Sequence, residues 1–377
     1  MKPWIFLVVA LIGGYYAYHA VWGGSGAGAG GSAEQGTAPV RLALPHPSAD
    51  RAEEGPQARE AAAPVSTPEA GGTDAVPGTP VDPEAAALDR RRLEALASGD
   101  MAKAEEAEAA LMAGHASSEP ARSLRFDRGR AHLARFRALG QNVDGLAAAQ
   151  EARRLLTEGI YLTTLDGGAR KTLRSTLAEL AEAVLFSGRH VEGVDRLYTP
   201  KRGDTLGALC AGEFRQYGSS VGPGFICAVN RMRSPTDLRA GEPIKVPLGG
   251  SSIVVCKREF RLYFLVGGAY VADFPVGLGK LGSTPVADFV IEKKLKNPDW
   301  YPSPGVMIPY GDARNILGSR WLGFRNSPEY RGFGIHGTTD PASIGREESS
   351  GCVRMQAADV ERLYDWAPEG TTVSILR

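Results

Sequence analysis

Cysteine and histidine are scarce in this chain, four of one and six of the other in 377 residues. Four cysteines permit three fully paired arrangements, and spacing alone does not choose among them. Only one histidine, His336, lies after Gly249, and it lacks ligand-spaced partners, so no metal and no other cofactor is expected there. Net charge is lacking too: 43 basic and 43 acidic side chains are mixed along the chain. No basic face announces nucleic acid and no acidic tail announces a cation. Residues 24–81 have almost no large apolar side chains among their Gly, Ala, Pro, Ser and Glu, so they cannot bury enough surface to offset their ordering entropy. That stretch reads as a disordered linker.

The N-terminal segment is different. Residues 1–23, within "MKPWIFLVVALIGGYYAYHAVWGG", carry no charge after Lys2 for about the length that crosses a bilayer core, with Trp4, Tyr15, Tyr16, Tyr18 and Trp22 near the ends. An uncleaved transmembrane anchor is expected, and a cleaved signal peptide is the alternative. Either places the remainder outside the cytoplasm, in the cell envelope on the periplasmic side, where thiols can be oxidised.

From Asp82 the texture becomes helical. "DPEAAALDRRRLEALASGD" offers Asp82 as N-cap, Pro83 at the first helical position and Gly99 as a stop. Met101 to Met112 completes a hairpin, and helices are expected at 119–139, 143–156 and 168–187. In the last, Leu173, Leu177, Leu180, Ala181 and Val184 recur on one face. The all-α region 82–196 resembles tetratricopeptide-type hairpins, but no 34-residue period is present. It reads as a helical spacer packing on itself, or as a surface for a protein partner.

Residues 197–248 have a β-α-α-β order. "GDTL" (Gly203 to Leu206), Asn230 closing the second helix, and Leu238 with Gly241 before a strand ending at Pro247 resemble the LysM module. That resemblance implies a glycan ligand containing N-acetylglucosamine, near Asp204, Thr205, Leu206 and Asn230; Asp204 as a simple helix cap is the structural alternative. Cys210 and Cys227 fall one on each helix, as a disulfide clamp or as small core residues.

After Gly249 the pattern is that of strands. "IVVCKREFRLYFLVGGAYVADFPVGLG" alternates, with Gly267-Gly268 at a hairpin turn, and predicts an antiparallel sheet closed by "GTTVSIL". Cys256 sits within the first strand as a structural thiol. Cys352, in "SSGCVRM", comes sixteen positions after His336. A thiolate attacking an acyl carbon needs a partner base, and this region offers one. "MQAADVERLYDW" predicts a helix starting just after Cys352, with Ala358, Leu363 and Tyr364 toward the core and its N-terminal dipole favouring the thiolate.

"TPVADFVI", "NPDWYPSPG", "IHGTTDPASIG" and "SSGCVRM" occur in the order of the YkuD-type L,D-transpeptidase domain, which residues 251–377 resemble. The resemblance implies a mainly-β catalytic domain in a multidomain chain. It implies Cys352 as nucleophile, His336 as base and the Gly337 carbonyl orienting the imidazole. The Gly351 and Cys352 amides would hold the oxyanion, and Ser349 and Arg354 would meet substrate carboxylates. An ion pair with Asp359 or Glu361 is the alternative for Arg354. Ser350 stands where the family usually has histidine, leaving His336 to carry the acid/base work alone. The implied reaction cross-links peptidoglycan stem peptides with release of D-alanine. L,D-carboxypeptidase chemistry by the same residues, or a non-catalytic wall-binding scaffold, are the alternatives.

Overall fold

The computed structural model describes residues 82–303 and 305–377. The expected anchor and linker, 1–81, lie outside the described residues. Among the described residues no helix is long and apolar enough to cross a membrane.

Helix α1 (Pro83–Ser98) starts where Asp82 Oδ1 accepts the N–H groups of Glu84 and Ala85 at 3.1 and 3.0 Å. It stops at Gly99, which takes the left-handed φ of 75° that a side chain would resist. Helices α2 (Met101–Gly114), α3 (Glu119–Leu139), α4 (Val143–Leu156) and α5 (Gly167–Ala181) come next, near their predicted positions. The α5 stripe of Leu173, Leu177, Leu180 and Ala181 is buried, worth about 2 kcal/mol per leucine. A π-helical turn, Glu182–Phe186, ends it, and the Val184 and Leu185 carbonyls accept from the buried Lys245 ammonium at 3.3 and 3.0 Å.

This region is more than a spacer packing on itself. Only Ala85, Leu111, Ala121 and Leu124 form a separate small core, whereas α4 and α5 share one core with the C-terminal sheet. Polar groups fasten the contact. Buried Arg153 donates to the Tyr270 carbonyl at 2.8 Å, and Thr157 Oγ1 accepts the Tyr270 N–H at 2.9 Å. Glu259 is held between Arg170 and Arg174 at 2.6 and 2.8 Å. A buried strand with one open face needs a cover, and these helices provide it.

The β-α-α-β unit is present. β1 (Asp195–Tyr198) pairs antiparallel with β3 (Ile244–Pro247), enclosing α6 (Leu206–Ala211), the short α7 (Glu213–Gln216), the two-residue β2 (Ser219–Ser220) and α8 (Pro223–Val229). It is fused to the C-terminal sheet: β2 pairs with β4 (Gly249–Cys256), and the Gly222 N–H donates to the Trp366 carbonyl at 2.7 Å. Cys210 and Cys227 are buried thiols, each pushed up to about 12 chiefly by burial. Cys256 is likewise a buried thiol, and no disulfide occurs among the described residues.

Strands β5 (Arg261–Val266) and β6 (Ala269–Gly279) form the expected hairpin, with Gly267 and Gly268 at φ 60° and 73°, the positive pair that a two-residue turn requires. Then come β7 (Asp288–Lys296), the β8 (Trp300–Ser303) and β9 (Val306–Ile308) hairpin, β10 (Arg320–Phe324), β11 (Gly334–His336), β12 (Glu347–Ser349), β13 (Val353–Met355), α9 (Ala357–Trp366) and β14 (Thr372–Leu376). The sheet is mixed, not purely antiparallel: β14 runs parallel to β4, and β11 parallel to β13. The parallel pairs join strands linked by long connections, β11 to β13 through residues 337–352 and β4 to β14 through most of the domain, whereas a tight hairpin yields only antiparallel neighbours. Because β5 pairs with both β4 and β6, the order β6-β13-β11-β10-β7-β14-β4-β5 closes on itself into a barrel. The helix expected over 355–366 is present, starting two residues later at Ala357. Three strand residues and Gln356 separate Cys352 from α9, so the helix dipole, which fades within one turn, does not act at the thiol. Ala358 is exposed, and Val360, Leu363 and Trp366 face the core.

Candidate active site

Strand register assembles the site. Trp321 on β10 pairs with His336 on β11, and His336 pairs with Arg354 on β13. Cross-strand partners point to one face, so these three form a row, continued by Leu295 on β7 and Gly277 on β6. Cys352 lies one residue before β13, 8% exposed, packed with Leu317 and Trp321, with half-buried Leu295, Trp300 and Ile316 against them. Its Sγ is 3.7 Å from the Gly332 carbonyl oxygen.

The imidazole of His336 is 2% exposed and stacks on the Trp321 indole, centroids 5.8 Å apart and planes 27° apart. The indole therefore touches the environments of both cysteine and histidine. Glycines make room for it: a Cβ at Gly323 would come within 2.5 Å of its Nε1, and one at Gly334 within 2.9 Å of its ring. His336 Nδ1 lies 2.5 Å from the Gly337 carbonyl oxygen. A carbonyl only accepts, so Nδ1 carries the proton and Nε2 is the basic nitrogen. Burial pushes this histidine down from 6.5 to about 4; the Gly337 carbonyl opposes the shift, and the Arg354 guanidinium adds to it. The ring is neutral at pH 7.

The loop before Cys352 is pinned from within. Ser349, 3% exposed, donates its hydroxyl to the Cys352 carbonyl at 2.7 Å and accepts the Gly351 N–H at 3.1 Å. Two expectations change as a result. The buried Ser349 hydroxyl is spent on the backbone of its own loop, and the Gly351 amide is engaged by that hydroxyl. Gly351 has φ 136° with the Phe333 ring 2.7 Å from where a Cβ would stand, so no other residue fits. Ser350 is exposed. Glu361 is occupied by Ser319 Oγ at 2.7 Å and by Arg320, so it is not the partner of Arg354, whose Nε is buried without a hydrogen-bond partner.

In the β-α-α-β unit, the helix cap is Thr205, whose Oγ1 accepts the Ala208 N–H at 3.3 Å. Asp204 instead accepts the Lys201 N–H at 2.7 Å and the Tyr198 hydroxyl at 2.8 Å. Leu206 is fully buried. The Asn230 amide donates to the Ile226 and Lys245 carbonyls, both at 2.8 Å, and accepts the Lys245 N–H, tying α8 to β3. Of the four, Thr205 is exposed, Asp204 and Asn230 are half-buried, and Leu206 is buried. Among the described residues no group of three or more His, Cys, Asp or Glu could hold a metal ion.

Residues 250–375 match the model of YkuD, the L,D-transpeptidase catalytic domain. The putative L,D-transpeptidase YqjB of Bacillus subtilis is 33% identical over 153 residues, covering 40% of this chain and 84% of that protein. The chain belongs to the L,D-transpeptidase family. Its similarity to the putative L,D-transpeptidase YkuD of Bacillus licheniformis is 31% over 192 residues, covering 48% of this chain and 98% of the relative. A solved structure of L,D-transpeptidase 3 from Mycobacterium tuberculosis with a faropenem-derived adduct shares 16% identity at a TM-score of 0.29, covering 36% of this chain and 64% of that one. The chain thus spans just under two thirds of that solved relative. Within the family frame, two residues escaped the sequence reading. Trp321 is signalled only by the glycine two positions on, which leaves its indole a slot. Thr284 stood within "TPVADFVI" without a role.

Proposed function

We propose that this member of the L,D-transpeptidase family cross-links peptidoglycan stem peptides through a thioester on Cys352. The observation that carries the reading is the row that sets a neutral, Nδ1-protonated His336 beside the segment bearing Cys352, both against Trp321. His336 Nε2 takes the thiol proton as Sγ attacks the carbonyl of the third stem residue. The S–C bond forms, the C–N bond to D-alanine breaks, and the imidazolium returns its proton to the departing amine. An amine of a neighbouring stem then attacks the thioester, and the thiol is regenerated. The Gly337 carbonyl holds the imidazole in the required tautomer, and the Cys352 amide faces the developing oxyanion. Arg354, beside His336, meets a substrate carboxylate. The apolar walls of buried Trp321 and Leu317, with half-buried Trp300 against them, keep water from the thioester.

The flanking parts serve the same reaction. The β-α-α-β unit is a LysM-like module that holds glycan strands at the Asp204 and Thr205 surface, and the N-terminal segment anchors the chain in the cytoplasmic membrane. A tether of 58 residues would have a coil span of roughly 40 Å. Incubating the full chain and Cys352→Ala with tetrapeptide-containing peptidoglycan, followed by muropeptide mass spectrometry, tests the reading. Cross-linked dimers from wild type alone support it. Trimmed tripeptides without dimers assign the thioester to water, and identical products from both proteins sink the enzyme reading.

A further inference from the structure

We propose that Thr284 is a positioning residue that sets the direction of the Cys352 amide, and through it the oxyanion donor of the reaction; this rests on the thioester reading above. After β6 the chain turns through Lys280–Gly282, with Leu281 and Gly282 in left-handed conformations at φ 51° and 74°. The turn brings Thr284, 1% exposed, beneath the loop that carries the nucleophile. Its Oγ1 accepts the Gly279 N–H at 2.8 Å and donates to the Gly351 carbonyl at 2.9 Å. A hydroxyl has one proton, an N–H can only donate and a carbonyl can only accept, so the sense of both bonds is fixed.

The Gly351 carbonyl and the Cys352 N–H belong to one planar trans peptide, and in such a unit C=O and N–H point in opposite directions. Holding the carbonyl down onto the buried Thr284 therefore turns the Cys352 N–H to the other side of the loop, the side from which an acyl group reaches Sγ. The plane is clamped on both flanks. Ser349 Oγ engages the Gly351 N–H and the Cys352 carbonyl, and Gly279 and Gly351 pass so closely that a Cβ on Gly279 would meet Gly351 Cα at 2.8 Å. Without the Thr284 hydroxyl, the Gly351 carbonyl and the Gly279 N–H lose their partner in a buried place, and the peptide is free to rotate toward another donor.

The test compares two reactions of one thiol in the full chain. Acylation by a carbapenem passes through an oxyanion; alkylation by iodoacetamide does not. Thr284→Val keeps the shape and removes the hydroxyl. Acylation is expected to slow by about a hundredfold, the scale of losing one oxyanion donor, with alkylation changed by less than about threefold and Thr284→Ser restoring acylation. Acylation at the wild-type rate in a folded Thr284→Val overturns the proposal. So does an equal fall of both reactions, which would mean general collapse of the loop. If the valine variant does not fold, Thr284→Cys, with its weaker S–H donor, must fall between wild type and a hundredfold loss, and a wild-type rate there overturns it. A wild type that no carbapenem acylates removes the thioester reading itself, a result distinct from all of these.

Discussion

Burial of His336 makes the fold pH-dependent in a way that can be isolated. The unfolded chain takes up the imidazole proton near pH 6.5, whereas the folded chain holds it off until about pH 4. Above pH 6.5 neither state binds the proton and the full stability is present. Between the two values only the unfolded state binds it, so stability falls as pH falls, and below about 4 the loss is complete. Each tenfold change in proton affinity is worth about 1.4 kcal/mol, so the whole window is worth about 3 kcal/mol. His336→Asn keeps a donor for the Gly337 carbonyl and cannot titrate. Urea unfolding of both proteins from pH 7.5 to 4 measures the difference, and the acidic groups common to both cancel. Wild type should lose about 3 kcal/mol more than the variant across that range. A difference flat with pH would refute the claim that burial keeps this imidazole neutral.

The packing sets further expected outcomes. Gly334→Ala would place a Cβ 2.7 Å from the Leu322 carbonyl and 2.9 Å from the Trp321 ring; it should cost about 1–3 kcal/mol and slow acylation of Cys352, read by thermal melting and acylation kinetics. Arg153→Met leaves the buried Tyr270 carbonyl without its donor; a loss of about 1–3 kcal/mol in urea unfolding is expected, and an unchanged midpoint would refute the fastening role. Deleting residues 82–196 uncovers β5 and β6, so the remainder should lose its cooperative melting transition. Native alkylation at pH 8 should leave Cys210, Cys227 and Cys256 unlabelled, because all three are buried and pushed up to about 12, 12 and 11; peptide mapping checks it.

Much of the local structure is written in neighbouring residues. Asp82, Pro83 and Gly99 mark the first helix because capping and left-handed geometry are properties of single residues, and the Gly267-Gly268 turn is legible for the same reason. The helix expected over 355–366 is present, and only its start shifted, to Ala357. The apolar spacing of residues 353–366 does not tell where three strand residues give way to a helix, since β13 is held by partners from β6 and β11 far away in the chain.

By itself the sequence determined which residues could do chemistry: one cysteine and one histidine, each beside glycine, in the motifs of a known acyl-transfer family. It also marked borders where composition and periodicity change, at Asp82 and after Gly249. Only the tertiary structure decided what those residues face. The pairing of β10, β11 and β13 lines up Trp321, His336 and Arg354, although they are distant in sequence. The fold also ties the Ser349 hydroxyl to the backbone around Cys352 and puts Thr284 under the Gly351 carbonyl. Register and burial are relations between strands, and a hydrogen bond across 67 residues leaves no trace in the spacing of either end.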